Sequence, residues 1–317
     1  MAYWFEKNDM RRFRRVDIPA RLLIVPSRPI QAGDIFTYGI DYFPPSVQKR
    51  LQHAQSKMHY WINHIQEQQD ILAPVFAEFE RYSRYFGGWV ESVSLQARSP
   101  RAEVASWLEF HAYGKGVQDL EALKAHAPKT FQYFDLLNQK MQAYYRHFSK
   151  CLEKSDGSQF QMPEPLDGYF EIDGLAKNFA ASVNHDQKVP LVQALYYLYL
   201  YTSYYFRAYD EMLNDLSPAS SPKAWRQKEI NLSAGGLSVL LDKRYPANSR
   251  CDIHLYFPDT GQRLDFEASF IRSFTAAHTH KETNAFNFNF PDGHSQKAVV
   301  FEIERYEIRS SMEVAVF

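Results

Sequence analysis

What this sequence has little of narrows it before any motif is read. Cysteine is nearly absent: Cys151 and Cys251 supply neither a disulfide framework nor zinc-ligand spacing, and two reduced thiols fit a cytoplasmic protein. Charge of one sign is absent too. The 36 Lys and Arg against 37 Asp and Glu leave a net charge of −1, which argues against a chain built throughout to coat nucleic acid or an anionic membrane. The N-terminus has no apolar segment of the kind that makes a secretory signal. Residues 191–206 come nearest to a membrane span, but Gln193, Thr202, Ser203 and a dense set of tyrosines make a poor one. The chain also has no P-loop, no Gly-x-Gly-x-x-Gly, no His-Glu-x-x-His and no Gly-x-Ser-x-Gly. The reading is a non-enzymatic cytoplasmic protein with no membrane span and no nucleic-acid partner.

What is there is apolar surface in two different rhythms. At 317 residues, 45% of them apolar, the chain is comfortable as two domains with a sizeable core. Val47, Leu51, Ala54, Met58, Trp61 and Ile65 recur at alternating spacings of four and three, with Leu72 a heptad beyond. That predicts a helix with coiled-coil-like spacing. Phe134, Leu137, Met141, Tyr144, Phe148 and Cys151 make a second stripe, and Leu191, Leu195, Leu198, Thr202, Tyr205, Tyr209 and Met212 a third. Shorter helices are expected over 74–85, 101–113 and 174–183, with Gly87-Gly88, 155–165 and 217–222 as connections. Self-packing of three long helices into one bundle is favoured over an intermolecular coiled coil. Self-association through a leftover helix face stays open.

From Ile230 onward the period drops to two. Cys251, Ile253, Leu255 and Phe257 alternate with polar neighbours, as do Leu264, Phe266, Ala268 and Phe270, and then Phe286, Phe288 and Phe290. Each set predicts a strand with one buried face. Residues 21–25 and 35–43 are strand candidates ahead of the helices, and 1–10 read as an arm. Residues 298–308 fit either period, with Val299, Ile303 and Tyr306 leaning towards a helix. Strands before and after a helical run suggest a β-barrel interrupted by a helical insertion, with the barrel on 1–45 and 228–317 and the helical domain on 46–227.

Two short motifs carry the functional signal. Residues 1–30 hold seven Lys and Arg against three acids, and Arg11, Arg12, Arg14 and Arg15 sit together as Arg-Arg-Phe-Arg-Arg. That end suits an anion. More than two hundred residues later comes Asn231-Leu232-Ser233-Ala234-Gly235-Gly236. The arginine run contains Arg-x-x-x-Arg as Arg11 and Arg15, followed by a strand entry over 16–22. The second stretch satisfies Asp/Asn-x-Ser-x-x-Gly through Asn231, Ser233 and Gly236. In these features the sequence resembles the PilZ family, bacterial receptors for cyclic di-GMP. The family normally separates its motifs by a few tens of residues, so here a helical segment stands between them.

The resemblance implies an α+β chain: a PilZ-like antiparallel six-stranded β-barrel, closed by a C-terminal helix, combined with a mostly α-helical bundle domain. It implies a signalling receptor whose ligand is cyclic di-GMP, with no other cofactor, and whose binding residues are Arg11, Arg15, Asn231, Ser233 and Gly236. Arg12 and Arg14 would add electrostatic attraction and Gly235 backbone freedom. The residue types suit that ligand. A guanidinium fork matches phosphate oxygens and the guanine edge alike, Asn231 offers a donor and an acceptor, and Ser233 a hydroxyl. Gly235 and Gly236 allow φ > 0 and a close approach of the backbone to the ligand. An unidentified protein partner would then read the response through the helical domain.

Other candidates have plainer readings. His278, His280 and His294 could ligate a metal if the chain folded back, but the intervening residues are hydrophilic and a polar loop is favoured. The tyrosines from Tyr196 to Tyr209 cover every face of their helix, which favours a central bundle element with its hydroxyls reaching partners.

Overall fold

The structure, a computed structural model, describes residues 13–67, 69–118, 120–166, 170–183, 189–216 and 222–314. The chain divides into two compact units, one of Met1–Arg28 with Ser217–Phe317 and the other of Pro29–Leu216.

The first unit is a closed six-stranded antiparallel barrel with a helix. Its strands are β1 (Val16–Pro26), β2 (Gln227–Ser233), β3 (Gly236–Leu241), β4 (Arg250–Phe257), β5 (Gln262–Thr275) and β6 (Glu282–Asn289), arranged in the order β1-β2-β3-β6-β5-β4. β1 closes the ring because it is long enough to serve two neighbours. Its residues 16–21 pair with β2 and its residues 21–26 with β4, the change of partner falling at Arg21. Alternation fills the interior: Ile18, Ala20, Ile230, Leu232, Leu237, Val239, Ile253, Leu255 and Phe286 are all buried. A register shift between Phe270 and Arg272 interrupts the β5–β6 pairing. The last helix, which we number α8, spans Gly293–Val314 and packs on the barrel through Val299, Glu302 and Ile303.

The second unit holds α1 (Pro45–Ile62), α2 (Gln69–Gln96), α3 (Val104–Gly114), α4 (Glu121–His126), α5 (Pro128–Lys154), α6 (Glu171–Val183) and α7 (Pro190–Asp215). Proline opens α1, α5 and α7, where its missing N–H removes a donor with no intrahelical partner. Phe86 is the centre of the core, meeting Tyr144, Tyr145, Phe148, Phe206 and Tyr209 in edge-to-face contacts. Tyrosine hydroxyls inside the unit find acceptors, as Tyr133 does at the Leu195 carbonyl and Tyr42 at Asp215. Along α7, Tyr201 and Tyr209 are buried, and Tyr196, Tyr197 and Tyr204 are half-buried. Among the described residues no helix is long and apolar enough to cross a membrane.

Several elements differ from their expected bounds, each for a local reason. Gly87 and Gly88 do not connect helices but lie inside α2, where a Cβ on Gly87 would meet the Tyr205 ring at 2.0 Å. The glycine is there so that α7 can come close. The first stripe divides, since α1 ends at Ile62 and Leu72 belongs to α2. Residues 35–43 form no strand and pack with the helices: Thr37 donates to the Ser94 carbonyl and Phe43 packs on Tyr205. The unit boundary accordingly falls at 28/29 rather than 45/46. On the other side it falls at 216/217 rather than 227/228, because Arg21 binds the carbonyls of Lys223 and Trp225. His278 and His280 lie in the β5–β6 connection, not on a strand face.

Candidate functional site

The site is built where β1, β2 and β3 meet. Antiparallel pairing sets Asp17 directly opposite Asn231, and directly opposed residues share a face of the sheet. The buried neighbours Ile18 and Ile230 are opposed in the same way one step along and point inward, which leaves Asp17 and Asn231 outside. Arg15, two residues before Asp17, returns to that outer side. Its Nη1 donates to Asn231 Oδ1 at 3.1 Å, and Asn231 Nδ2 donates to Asp17 Oδ1 at 2.7 Å. The amide is thereby held between a cation and an anion in one orientation.

The arm and the helix add to this. Arg14, largely exposed, ion-pairs with Glu307 of α8 at 2.8 Å. The Phe13 ring lies over Gly235, where an added Cβ would meet it at 3.0 Å. The side-chain amide of Gln296 donates to the Ala234 carbonyl at 3.3 Å. Arg11 and Arg12 lie outside the described residues.

The β2–β3 hairpin explains the rest of the second motif. Ser233 is buried, and its Oγ donates to the Gly236 carbonyl at 3.0 Å while accepting from the Gly235 N–H at 3.4 Å. Its hydroxyl thus closes the turn. Neither Gly235 nor Gly236 has positive φ, in contrast to the expectation for them. The demand at Gly236 is for space: a Cβ would sit 2.3 Å from the Phe286 carbonyl oxygen on β6. The close approach is to the neighbouring strand.

The structure therefore brings Arg15 onto Asn231 of the hairpin that also holds Ser233, Gly235 and Gly236, although 216 residues separate Arg15 from Asn231, and it pairs Arg14 with Glu307. Sequence reasoning missed Asp17 and Glu307. Asp17 was within reach, since it follows Arg15 at strand period. Glu307 had no signal, because nothing local to α8 reports where the arm lands.

The fold is a closed six-stranded antiparallel barrel with the Asn-x-Ser-x-x-Gly hairpin at β2–β3, an arginine at the foot of β1 and a C-terminal helix, combined with a helical unit, which is the architecture that the resemblance to the PilZ family implies. No protein-family model matches the chain, and no curated protein sequence matches it. Among solved structures it is similar to the inhibitor of motility MotI/DgrA of Bacillus subtilis, at 18% identity and a TM-score of 0.24, over 26% of this chain and 43% of that one. It is also similar to a pathogenic protein of Xanthomonas campestris described as a tetrameric PilZ domain self-assembled through a helical bundle. That likeness has 14% identity and a TM-score of 0.24, over 43% of this chain and 78% of that one. The chain spans under half the length of the first of these structures.

Proposed function

We propose that the barrel unit is a receptor for cyclic di-GMP, bound by Arg11, Arg12, Arg14, Arg15, Asn231, Ser233, Gly235 and Gly236. One observation carries the reading: the Arg15 guanidinium rests on Asn231, so a residue from each motif meets at one point of the barrel's outer face. A phosphate or guanine edge arriving there finds a planar donor fork and an amide already oriented by Asp17. Ser233 and Gly236 also shape the hairpin that presents Asn231. Ligand would exchange Arg15 from Asn231 onto itself and draw the remaining arginines over it, and a protein partner would read the closed arm. Only the ligand's preference for the closed arm can drive that shift. Calorimetric titration with cyclic di-GMP, with GTP as control, tests the reading on wild type and Arg15→Ala. Micromolar or tighter binding, selective over GTP and lost in the variant, is expected. Absence of binding to the wild type would falsify it.

A second reading, an interaction scaffold without nucleotide control, is favoured by one feature of the helical unit. Val104 and Leu108, four apart on α3, are both exposed. Under it, association through that face is untouched by Arg15→Ala and by the nucleotide.

A further inference from the structure

A cleft of about 270 Å³ opens between α8, the start of β1 and the β4–β5 turn. None of the described motif residues lines it. One face of α8 supplies Glu302, Arg305, Tyr306 and Arg309, at helical spacings of three, one and three, and Pro19 and Phe257 supply apolar wall.

Its charges are arranged in a way that a simple structural role leaves unexplained. Glu302 lines the cleft but is only 5% exposed. Its Oε2 accepts one long hydrogen bond, 3.3 Å from Thr260 Oγ1, and its Oε1 has no partner among the described residues. A carboxylate that accepts only one long hydrogen bond keeps acceptor capacity for a donor arriving in the cleft. Nearer the surface stand two guanidiniums. Arg309 is paired with Asp259 at 2.6 Å, whereas Arg305, exposed at the rim, has no partner among the described residues. The cleft therefore offers an acceptor at depth and a cation at its mouth, with the half-buried Tyr306 beside them.

That polarity selects its ligand. A plain anion is attracted by Arg305 but repelled by Glu302, and a plain cation meets the reverse. We infer that the cleft is a second ligand site, for a small amphoteric molecule carrying a fork of N–H donors at one end and an anion at the other. The donor fork, such as the N1–H and N2–H₂ edge of guanine or a guanidinium, engages Glu302, and the phosphate or carboxylate engages Arg305. Guanosine monophosphate and L-arginine are two sources of that chemistry. The inference stands on residues distinct from those of the receptor reading.

Calorimetry or ligand-observed NMR with guanosine monophosphate and, separately, L-arginine tests it on the full chain. Adenosine monophosphate and inorganic phosphate are controls that keep the anion and lose the fork. At least one of the two probes is expected to bind, with affinity reduced about tenfold or more by Glu302→Gln and by Arg305→Ala, and unchanged by Arg15→Ala. Arg305 is exposed, so its variant tests the site without disturbing the core. The inference is overturned if neither probe binds, if adenosine monophosphate or phosphate binds as well as they do, or if both cleft variants bind normally. Cyclic di-GMP binding that is lost in Arg15→Ala and kept in Glu302→Gln, with the cleft probes showing the reverse, separates the two sites, and probe binding lost in Arg15→Ala would overturn the inference.

Discussion

Asn231 stands directly across the β1–β2 ladder from Asp17 and donates to its carboxylate at 2.7 Å, while its own oxygen accepts from Arg15. An asparagine can do both at once because it carries a donor and an acceptor; an aspartate cannot. The residue at 231 is thus matched to its cross-strand neighbour.

Asn231→Asp is expected to weaken cyclic di-GMP binding even though it adds a charge that Arg15 favours. It would bring two carboxylates together across the ladder, where unit charges about 4 Å apart repel by about 1 kcal/mol even in bulk water. Asp17→Asn in the same chain should restore both affinity and melting temperature. A double-mutant cycle measures the coupling, and additive effects at 17 and 231 would remove the pairing argument.

The two glycines of the hairpin should respond differently to the same substitution. Gly236→Ala drives a methyl against the backbone oxygen of Phe286, which cannot move without breaking the β3–β6 ladder. A loss of about 1–3 kcal/mol, the usual range for overpacking, is expected. Among the described residues, Gly235→Ala meets only the edge of the exposed Phe13 ring, which can swing aside, so its melting temperature should stay near wild type. Thermal denaturation of the pair decides whether the motif's last glycine serves packing or the ligand.

Where the apolar pattern was strong, the sequence was legible. Cys251 to Phe257 and Leu264 to Phe270 alternate as written and form β4 and β5. β6 was seen only from Phe286 onward, because its earlier inward residues, Glu282 and Asn284, are polar although fully buried. Hydropathy cannot see a strand whose inner face is charged. Local propensity disfavours glycine in a helix and marks Gly87 as a break, yet the ring of Tyr205, far along the chain, requires it there. The motifs were visible as letters, but Asp17 and Glu307 enter the site only through strand register and helix docking. Tertiary contacts alone supply those.

The polar inner end of β6 makes a prediction of its own. Glu282 is fully buried and is held by Arg244, through Nε at 2.8 Å and Nη2 at 2.7 Å, with Thr275 Oγ1 donating at 3.1 Å. Arg244→Ala would strand that carboxylate inside the barrel, and a loss of roughly 3 kcal/mol is expected from removing one partner of a buried pair. Replacing both, as Arg244→Met with Glu282→Leu, should recover most of it. Urea denaturation with an unchanged slope checks both variants, and a double variant as unstable as the single one would show that the pair itself is required.

Asp292, just before α8, links the site to pH. Its Oδ1 accepts from the Ser295 N–H at 2.8 Å and from Ser295 Oγ at 3.0 Å. These hydrogen bonds favour the ionised form and hold the carboxyl below its ordinary value of 3.8. A group whose pKa is lower in the folded state contributes stability above its unfolded value and loses it as pH falls through the folded one. The contribution is therefore complete at neutral pH and fades only below about pH 4. Asp292→Asn keeps an acceptor at the start of the helix but cannot titrate. Wild type is expected to melt higher than Asp292→Asn at pH 7, with the gap closing as the pH falls below 4. Because α8 carries Gln296 on the Ala234 carbonyl and Glu307 on Arg14, the protection of amides at the β2–β3 turn, relative to their intrinsic exchange at each pH, should fall over the same window. A gap that stays constant down to pH 2 would mean that Ser295 stabilises the helix start whatever the charge on Asp292.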